Sequence, residues 1–374
     1  MHYTLHLTGN CNMACDYCYV NTGKIKTMSF ETARKAVDLA ALKSEGSVGI
    51  IFFGGEPLLE RELLQELVCY CRAREQKDGS LFHFKVTTNG LLLDTGFLEF
   101  SARYGVFVAL SHDGVLEAHD LHRKDKKGSG TFELLSARID SLLSYQPYAP
   151  ALMTVNPDTV RHYAASVRYL FNKGFSYIIC SLNYAGEWNE KTLEFLKEQY
   201  LELSELYLEK TLREEKFYLS PFEVKISSHI HRNSYCKERC ELGKKQISVA
   251  PDGVLYPCVQ FVGDPDYAIG HVDTGINGEL RNNLYHINEM DKAECGNCAV
   301  KSRCNNHCGC LNRQATGHIN RVSPVLCAHE RILMPIADSL AEQLYKRRDA
   351  MFIQKHYNDM YPLVSLVEDK LKQG

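Results

Sequence analysis

Cys11-Asn12-Met13-Ala14-Cys15-Asp16-Tyr17-Cys18 is the stretch that decides how the rest of the chain is read. Its three thiols are spaced by three and two residues and lie where a first strand runs out. Three thiolates on one short loop can wrap one face of a metal cluster and leave a further coordination position open. Structural zinc instead takes four protein ligands, often as two CxxC pairs, and no fourth ligand stands near this loop. An open position implies reactivity.

Before the loop, Tyr3 to Thr8 sets Tyr, Leu and Leu against Thr and His, the pattern of a half-buried strand, and ends at Gly9-Asn10. After it, Ser29 is a good N-cap for a helix carrying Phe30, Ala33, Val37 and Ala40 at helical spacing. The alternation then continues: a strand Val48 to Phe53, a helix Glu60 to Glu75, a strand Phe82 to Thr87, a helix Thr95 to Tyr104 and a strand Val106 to Leu110. A helix from Thr131 to Tyr145, a strand Ala151 to Val155, a helix after Pro157 and a strand Tyr177 to Leu182 complete it. Strands alternating with helices predict an α/β fold with right-handed crossovers, a parallel sheet, and reactive groups on loops beyond the strands' carboxyl ends. Those loops are the cysteine loop, Gly54-Gly55-Glu56-Pro57, Thr88-Asn89-Gly90 and Ser111-His112-Asp113-Gly114. Each polar loop alone reads as an ordinary turn; their shared rim makes them a site.

Composition narrows the class. The chain has 374 residues, 45% hydrophobic and 24% charged, enough for one large domain and a smaller one. A net charge of −3, from 43 basic and 46 acidic residues well mixed, argues against nucleic acid or a membrane surface as partner. The N-terminus lacks a signal-peptide pattern and no run approaches a membrane span, so a cytoplasmic location is expected. There, fifteen cysteines point to metal rather than disulfides.

The CxxxCxxC array with Tyr17 inside it, together with Gly54-Gly55-Glu56-Pro57 after the second strand, resembles the radical S-adenosylmethionine enzymes. The resemblance implies a partial (β/α)6 barrel of TIM-like kind and a [4Fe-4S] cluster on Cys11, Cys15 and Cys18. Its fourth iron would be chelated by the amino and carboxylate groups of S-adenosylmethionine, whose cleavage yields a 5′-deoxyadenosyl radical. Chemistry of that kind has to come from a cofactor, which the protein positions and shields. By the same resemblance Gly54, Gly55 and Glu56 would hold the methionine ammonium, with Tyr17, Asn89, Ser111, Asp113 and Arg123 also on the cofactor. The stretch from Asp113-Gly114 through His119-Asp120 and Arg123 to Gly130-Thr131-Phe132 looks like one found in peptide-modifying members.

Beyond Leu182, Leu193, Leu196, Tyr200, Leu203 and Tyr207 form one helical stripe, read as an amphipathic connector packing on the barrel. A second group of cysteines follows. Pro251-Asp252-Gly253 is a turn signal that would make a hairpin carrying Cys258. The spacings Cys240-x12-Gly253-x4-Cys258 and Cys295-x2-Cys298-x5-Cys304-x3-Cys308-x18-Cys327 resemble the seven-cysteine SPASM extension, although CxxC pairs also make zinc sites. The resemblance implies two auxiliary [4Fe-4S] clusters, three in all. Cys236, Cys240, Cys258 and Cys308 would hold the nearer, with Cys236 outside the seven-residue pattern, and Cys295, Cys298, Cys304 and Cys327 the farther. Cys310, Cys69, Cys71 and Cys180 are left as buried, inert thiols.

The division expected is 1–188 barrel, 189–232 connector, 233–335 SPASM domain and 336–374 C-terminal helical segment. The function expected is a peptide maturase that builds thioether crosslinks of the sactipeptide or ranthipeptide kind in a ribosomally made, cysteine-rich precursor. The alternatives are an anaerobic sulfatase-maturating enzyme, which makes formylglycine, or a non-catalytic iron-sulfur or zinc protein. In the family, sulfatase maturases carry an aspartate just after the hairpin cysteine, where this chain has Val259 after Cys258. The partners implied are a precursor peptide and an electron donor such as flavodoxin or ferredoxin. With ten residues ahead of Cys11, leader recognition would fall to a separate protein or another surface.

Overall fold

The computed structural model describes residues 1–20, 26–43, 46–231 and 240–373. Seven strands run in chain order: β1 (His2–Thr8), β2 (Ser47–Gly54), β3 (Leu81–Thr88), β4 (Val106–Ser111), β5 (Pro150–Val155), β6 (Tyr177–Leu182) and the short β7 (Tyr218–Leu219). Each pairs parallel with the next. Between them lie α1 (Phe30–Leu42), α2 (Arg61–Asp78), α3 (Thr95–Tyr104), α4 (Leu116–His122), α5 (Phe132–Tyr145), α6 (Tyr163–Asn172) and α7 (Glu190–Leu212). Their starts follow the sequence: the Ser29 side chain accepts from the Thr32 amide at α1, and Asp94 from Phe97 at α3, satisfying otherwise orphaned N–H groups. At α2 and α3 the ends fall to Gly79 and Gly105 in the left-handed region, which glycine enters without a Cβ clash.

After α8 (Ser220–Ile230) the chain returns to the same sheet. Strand β8 (Gln246–Val249) pairs parallel with β1, and β9 (Val254–Tyr256), β10 (Gly270–His271) and β11 (Gly275–Ile276) extend it antiparallel. The order β11-β10-β9-β8-β1-β2-β3-β4-β5-β6-β7 places β1 inside an eleven-stranded sheet that does not close. This alters the reading of β1 as half-buried. With β2 on one side and β8 on the other, Thr4, His6 and Thr8 are as buried as Tyr3, Leu5 and Leu7. Desolvation then holds the His6 imidazole down at about 3.

Helices α9 (Gly278–Glu289) and α10 (Gly309–Thr316) carry the cysteine-rich segment, and α11 (Pro324–Lys346), α12 (Ala350–Tyr357) and α13 (Tyr361–Gln373) follow. Helix α11 runs through the division expected near residue 335 and packs on α7 and α8. On α7, Leu196, Tyr200, Leu203 and Tyr207 are buried, as their spacing predicts. His329 of α11 lies 2.7 Å from the hydroxyls of both Tyr184 and Tyr200. Beside it Glu330 and Lys225 make a buried ion pair at 2.7 Å. One large core fills the sheet and helices; Leu242, Ala250, Tyr256, Cys258, Phe261, Cys310 and Ile319 form a second, smaller one. Among the described residues no helix is long and apolar enough to cross a membrane.

Candidate active site

The carboxyl ends of β1 to β6 open onto a cavity of about 420 Å³. Its walls include Cys11, Cys15 and Cys18, Tyr17, the turn Gly54-Gly55-Glu56, Asn89, Ser111 and Arg123. The loop that holds the thiols is anchored by specific contacts. The Met13 amide donates to Cys11 Sγ at 3.4 Å, and Asn89 Nδ2 donates to the same sulfur at 3.7 Å and to Asn12 Oδ1 at 2.7 Å. Burial pushes the Cys15 thiol up to about 11 against the pull of Arg123, and raises Cys11 too. A cationic cluster is what converts such thiols to thiolates.

The two glycines are where the chain needs them. Gly54 has φ +135°, and a Cβ there would sit 2.3 Å from the Thr8 carbonyl oxygen; one on Gly55 would sit 2.2 Å from that of Asn10. Without side chains, the Gly55 and Glu56 amides donate to those same carbonyls at 2.8 Å each. The turn after β2 is therefore seated directly against the start of the cysteine loop. Glu56 is fully buried. Its carboxylate accepts from the Leu58 amide at 3.0 Å, Thr88 Oγ1 at 2.7 Å and the Asn89 amide at 2.8 Å. Most of its acceptor capacity is spent on Leu58, Thr88 and Asn89, leaving about one lone pair toward the cavity. Burial, only partly offset by those hydrogen bonds, lifts its pKa to about 7.

Asp113 does not line the cavity. It is buried behind the wall, where Oδ2 accepts from the Tyr17 hydroxyl at 2.6 Å and pairs with Arg123 Nε at 2.8 Å, while Oδ1 accepts from the Thr154 amide at 2.9 Å. One carboxylate thus ties the cysteine loop, the end of β5 and the end of α4 together. The stretch that follows is a buttress for it. His119 Nδ1 accepts from the Asp113 amide at 3.3 Å, and its Nε2 meets Thr131 Oγ1 at 3.1 Å, which donates to the Arg123 carbonyl at 2.8 Å. Asp120 Oδ1 accepts from the Thr131 and Phe132 amides at 2.8 Å each. Outside this, His122 bridges Asp16 of the cysteine loop and Asp158 after β5, at 2.8 and 2.9 Å.

On the far side the wall comes from the cysteine-rich segment: Gln260, Leu311 and Gln314 face the cysteine loop across the cavity. Sequence reasoning did not single these out, nor Phe53 and Tyr19, whose rings stack at 6.4 Å, nor Asn183. Only Gln260 carried a signal, two residues past the hairpin cysteine. The second group of thiols falls into neighbourhoods. Cys240, Cys258 and Cys308 interact with one another. Cys327 lies with Cys295 and Cys298, and Cys304 stands by Glu330 and Asn306. Cys236 lies outside the described residues. Cys71 is buried as expected, whereas Cys69 is exposed. Among the described residues no three His, Cys, Asp or Glu groups converge on one point as a single ion requires.

A parallel sheet bearing three loop thiols and a tight glycine turn at its carboxyl rim, over an apolar-walled cavity, defines an iron-sulfur enzyme of the α/β kind. The sequence model of the radical SAM superfamily matches residues 5–196, and the chain belongs to that family. Its cofactors are accordingly S-adenosylmethionine and an iron-sulfur cluster, and the donor set fits: three thiols with N–H donors on one of them, and a cavity beside them. The chain is similar to the cysteine-type anaerobic sulfatase-maturating enzyme of Clostridium perfringens, 26% identical over 333 residues, covering 80% of this chain and 86% of that one. A solved structure, native anSMEcpe with bound AdoMet, superposes with TM-score 0.77 at 22% identity, over 92% of this chain and 99% of that one. SuiB of Streptococcus suis bound to precursor peptide SuiA gives TM-score 0.60 at 13% identity, over 87% and 75%.

Proposed function

We propose that this enzyme carries out a two-electron oxidation of a side chain in a peptide held over the cavity, at the Cβ of a cysteine or serine, as in anaerobic sulfatase maturation. The observation that carries this reading is the reach of the match to the sulfatase-maturating relative, which takes in the cysteine-rich segment as well as the barrel. This match supports the sulfatase reading better than the thioether maturase expected from the sequence. Bound S-adenosylmethionine and the cluster supply the hydrogen-abstracting chemistry. The chain supplies the rest. Cys11, Cys15 and Cys18 hold the cluster; Gly54, Gly55, Asn89 and Ser111 face the cofactor; Leu152, Met153, Ile179 and Leu182 give a dry floor that keeps water from a reactive carbon centre. Gln260 and Gln314 offer neutral amide donors and acceptors to a peptide backbone. Cys240, Cys258 and Cys308, and Cys295, Cys298, Cys304 and Cys327, would hold auxiliary clusters that take the second electron.

A second reading, thioether formation in a cysteine-rich precursor, is favoured by one observation. Val259 follows Cys258, and the only carboxylate on the described cavity walls is Glu56, already engaged in three hydrogen bonds. A reaction whose substrate brings its own thiolate needs less from such a wall. Co-expression with a sulfatase-derived peptide and with a cysteine-rich peptide, followed by mass spectrometry, separates the two. An aldehyde in place of the thiol supports the first reading. Loss of two hydrogens per crosslink, with one thiol protected from alkylation, replaces it with the second.

A further inference from the structure

Helix α13 is docked with its polar side inward. Tyr361, Ser365 and Asp369, four residues apart, hold it to the body. The Asp369 carboxylate accepts from the Tyr148 hydroxyl at 2.6 Å and from Lys216 Nζ at 2.7 Å. Lys216 also donates to the Ser365 carbonyl at 3.0 Å, and the Tyr361 hydroxyl donates to Met351 Sδ at 3.2 Å. The apolar side faces out. Met360, Leu363, Val364 and Val367, at the i, i+3, i+4, i+7 spacing of one helical face, are 43% to 55% exposed. Three residues before Met360, the Tyr357 ring meets that of Tyr345 at the end of α11, 5.6 Å apart, both also largely in solvent. Next to Tyr345 come Lys346, Arg347 and Arg348, all exposed and none in an ion pair with a described carboxylate. Arg348 has φ +51° at the position past the helix end where glycine is usual. Its amide donates to the Tyr345 carbonyl at 2.9 Å, and the Asp349 amide to that of Leu344 at 3.3 Å. A long cationic side chain held in a strained backbone region calls for something that its charge meets.

We infer that this surface docks a segment of the peptide substrate lying outside the residue that is oxidised. The segment is amphipathic, with apolar anchors for the outer face of α13 and carboxylates at one end for Lys346, Arg347 and Arg348. Tyrosine and arginine beside an apolar row are the composition of a binding hot spot. A second copy fits less well. The 13 residues of α13 offer a strip about 20 Å long and about 10 Å wide, short of the ~800 Å² per partner of a standing dimer. A bilayer of anionic lipid would have to accept the exposed Asp359 and Glu368 together with the cations. An electron carrier has to approach a cluster, and this surface is remote from the first one. Tyr148 and Lys216 stand just before β5 and β7, at the amino edge of the parallel sheet, whereas the cavity opens at the carboxyl rim. The six residues of β5 alone separate the two by about 20 Å. Docked segment and oxidised residue are therefore at least about six extended residues apart. The inference rests on the reading of a peptide substrate and is independent of which bond is made in it.

The test uses the full chain and a labelled synthetic helix with Leu at i, i+3, i+4 and i+7 and a run of glutamates at one end. Its fluorescence anisotropy should saturate, and Val364→Asp with Val367→Asp should weaken binding about tenfold or more. Arg348→Gly should weaken it about threefold yet leave the fold at least as stable, since glycine takes that φ without a Cβ clash. Joining the same helix to an oxidisable peptide through about eight residues should lower that peptide's KM and leave kcat unchanged, and through about three residues should not. Absence of saturable binding overturns the inference. So does equal binding by a probe with lysines in place of the glutamates or by phosphatidylserine vesicles, or a dimer in solution that the Val364 and Val367 changes dissolve. Binding with no fall in KM for the longer joined peptide overturns the substrate as occupant. The anisotropy needs neither iron nor S-adenosylmethionine, so failure to oxidise any peptide counts against the proposed function and leaves the binding result readable.

Discussion

Asp113, buried to 2% exposure, is a single carboxylate on which the cysteine loop, β5 and α4 converge. Replacing it with Ala strands the buried Arg123 charge and frees the Tyr17 hydroxyl, which should cost about 3–5 kcal/mol. The check is a large fall in melting midpoint with loss of iron from the first site; an unchanged midpoint would show that Arg123 finds water there. Glu56 makes a different prediction, through pH. Its folded pKa is raised to about 7, so between the ordinary carboxylate value of 4.5 and about 7 the native state keeps a proton the unfolded chain has lost. Stability is then highest below the ordinary value and declines as pH rises through about 7, by roughly 3 kcal/mol from this group. Glu56→Gln should flatten the fall in melting midpoint between about pH 5 and about pH 8. An equal fall in the variant would mean that Glu56 is ionised throughout. At this scale the sequence located residues better than it assigned their work. Gly54, Gly55, Asn89 and Ser111 stand on the cavity wall where their loops predict, whereas Asp113 turns away from it, because which face a loop side chain takes depends on partners such as Tyr17 and Thr154 that are distant in sequence.

Among the elements, the turn after β2 is the least tolerant. Gly54→Ala forces a side chain into a positive φ and against the Thr8 carbonyl, backbone that cannot give way without moving β1. The expected outcome is loss of both the first cluster's iron and S-adenosylmethionine binding, read by iron content and equilibrium dialysis; retention of either would show that the strand end relaxes. Helices α8 and α11 are joined by the Lys225–Glu330 pair, and Glu330 Oε1 also accepts from the Asn305 amide at 3.1 Å, beside Cys304. Glu330→Ala leaves Lys225 charged and buried, a cost of about 3–5 kcal/mol, and frees the Cys304 loop. Lys225→Met with Glu330→Leu should recover much of that stability without restoring the loop; iron loss in the double variant with a near-normal midpoint is the signature. Sequence periodicity found α7 and its buried stripe. It did not bring out α11 as α7's partner, since Pro335 interrupts the pattern although the helix runs through it.

For the whole molecule, alternation of apolar runs and amphipathic stretches made the parallel sheet legible, because each crossover is local. The pairing of β8 with β1 was not legible: His2 and Gln246 are neighbours across a ladder, and nothing in a local window records that. The same pairing decides that Gln260, Leu311 and Gln314 close the cavity, so the far wall of the site was hidden with it.

That ladder also imposes an order on synthesis. Strand β1 leaves the ribosome first, yet one of its two edges has no partner until β8 has been made, after almost every strand on its other side is in place. Through most of translation the nascent chain displays an open, apolar strand edge at what will become the middle of its sheet, a template for pairing with another chain. A chain ended after residue 231 should consequently come out in inclusion bodies, and adding back the segment from residue 232 as a separate polypeptide during expression should rescue part of it into solution. The half-made protein is thus the most vulnerable form, and slow decoding between the codons for β7 and β8 would be selected against.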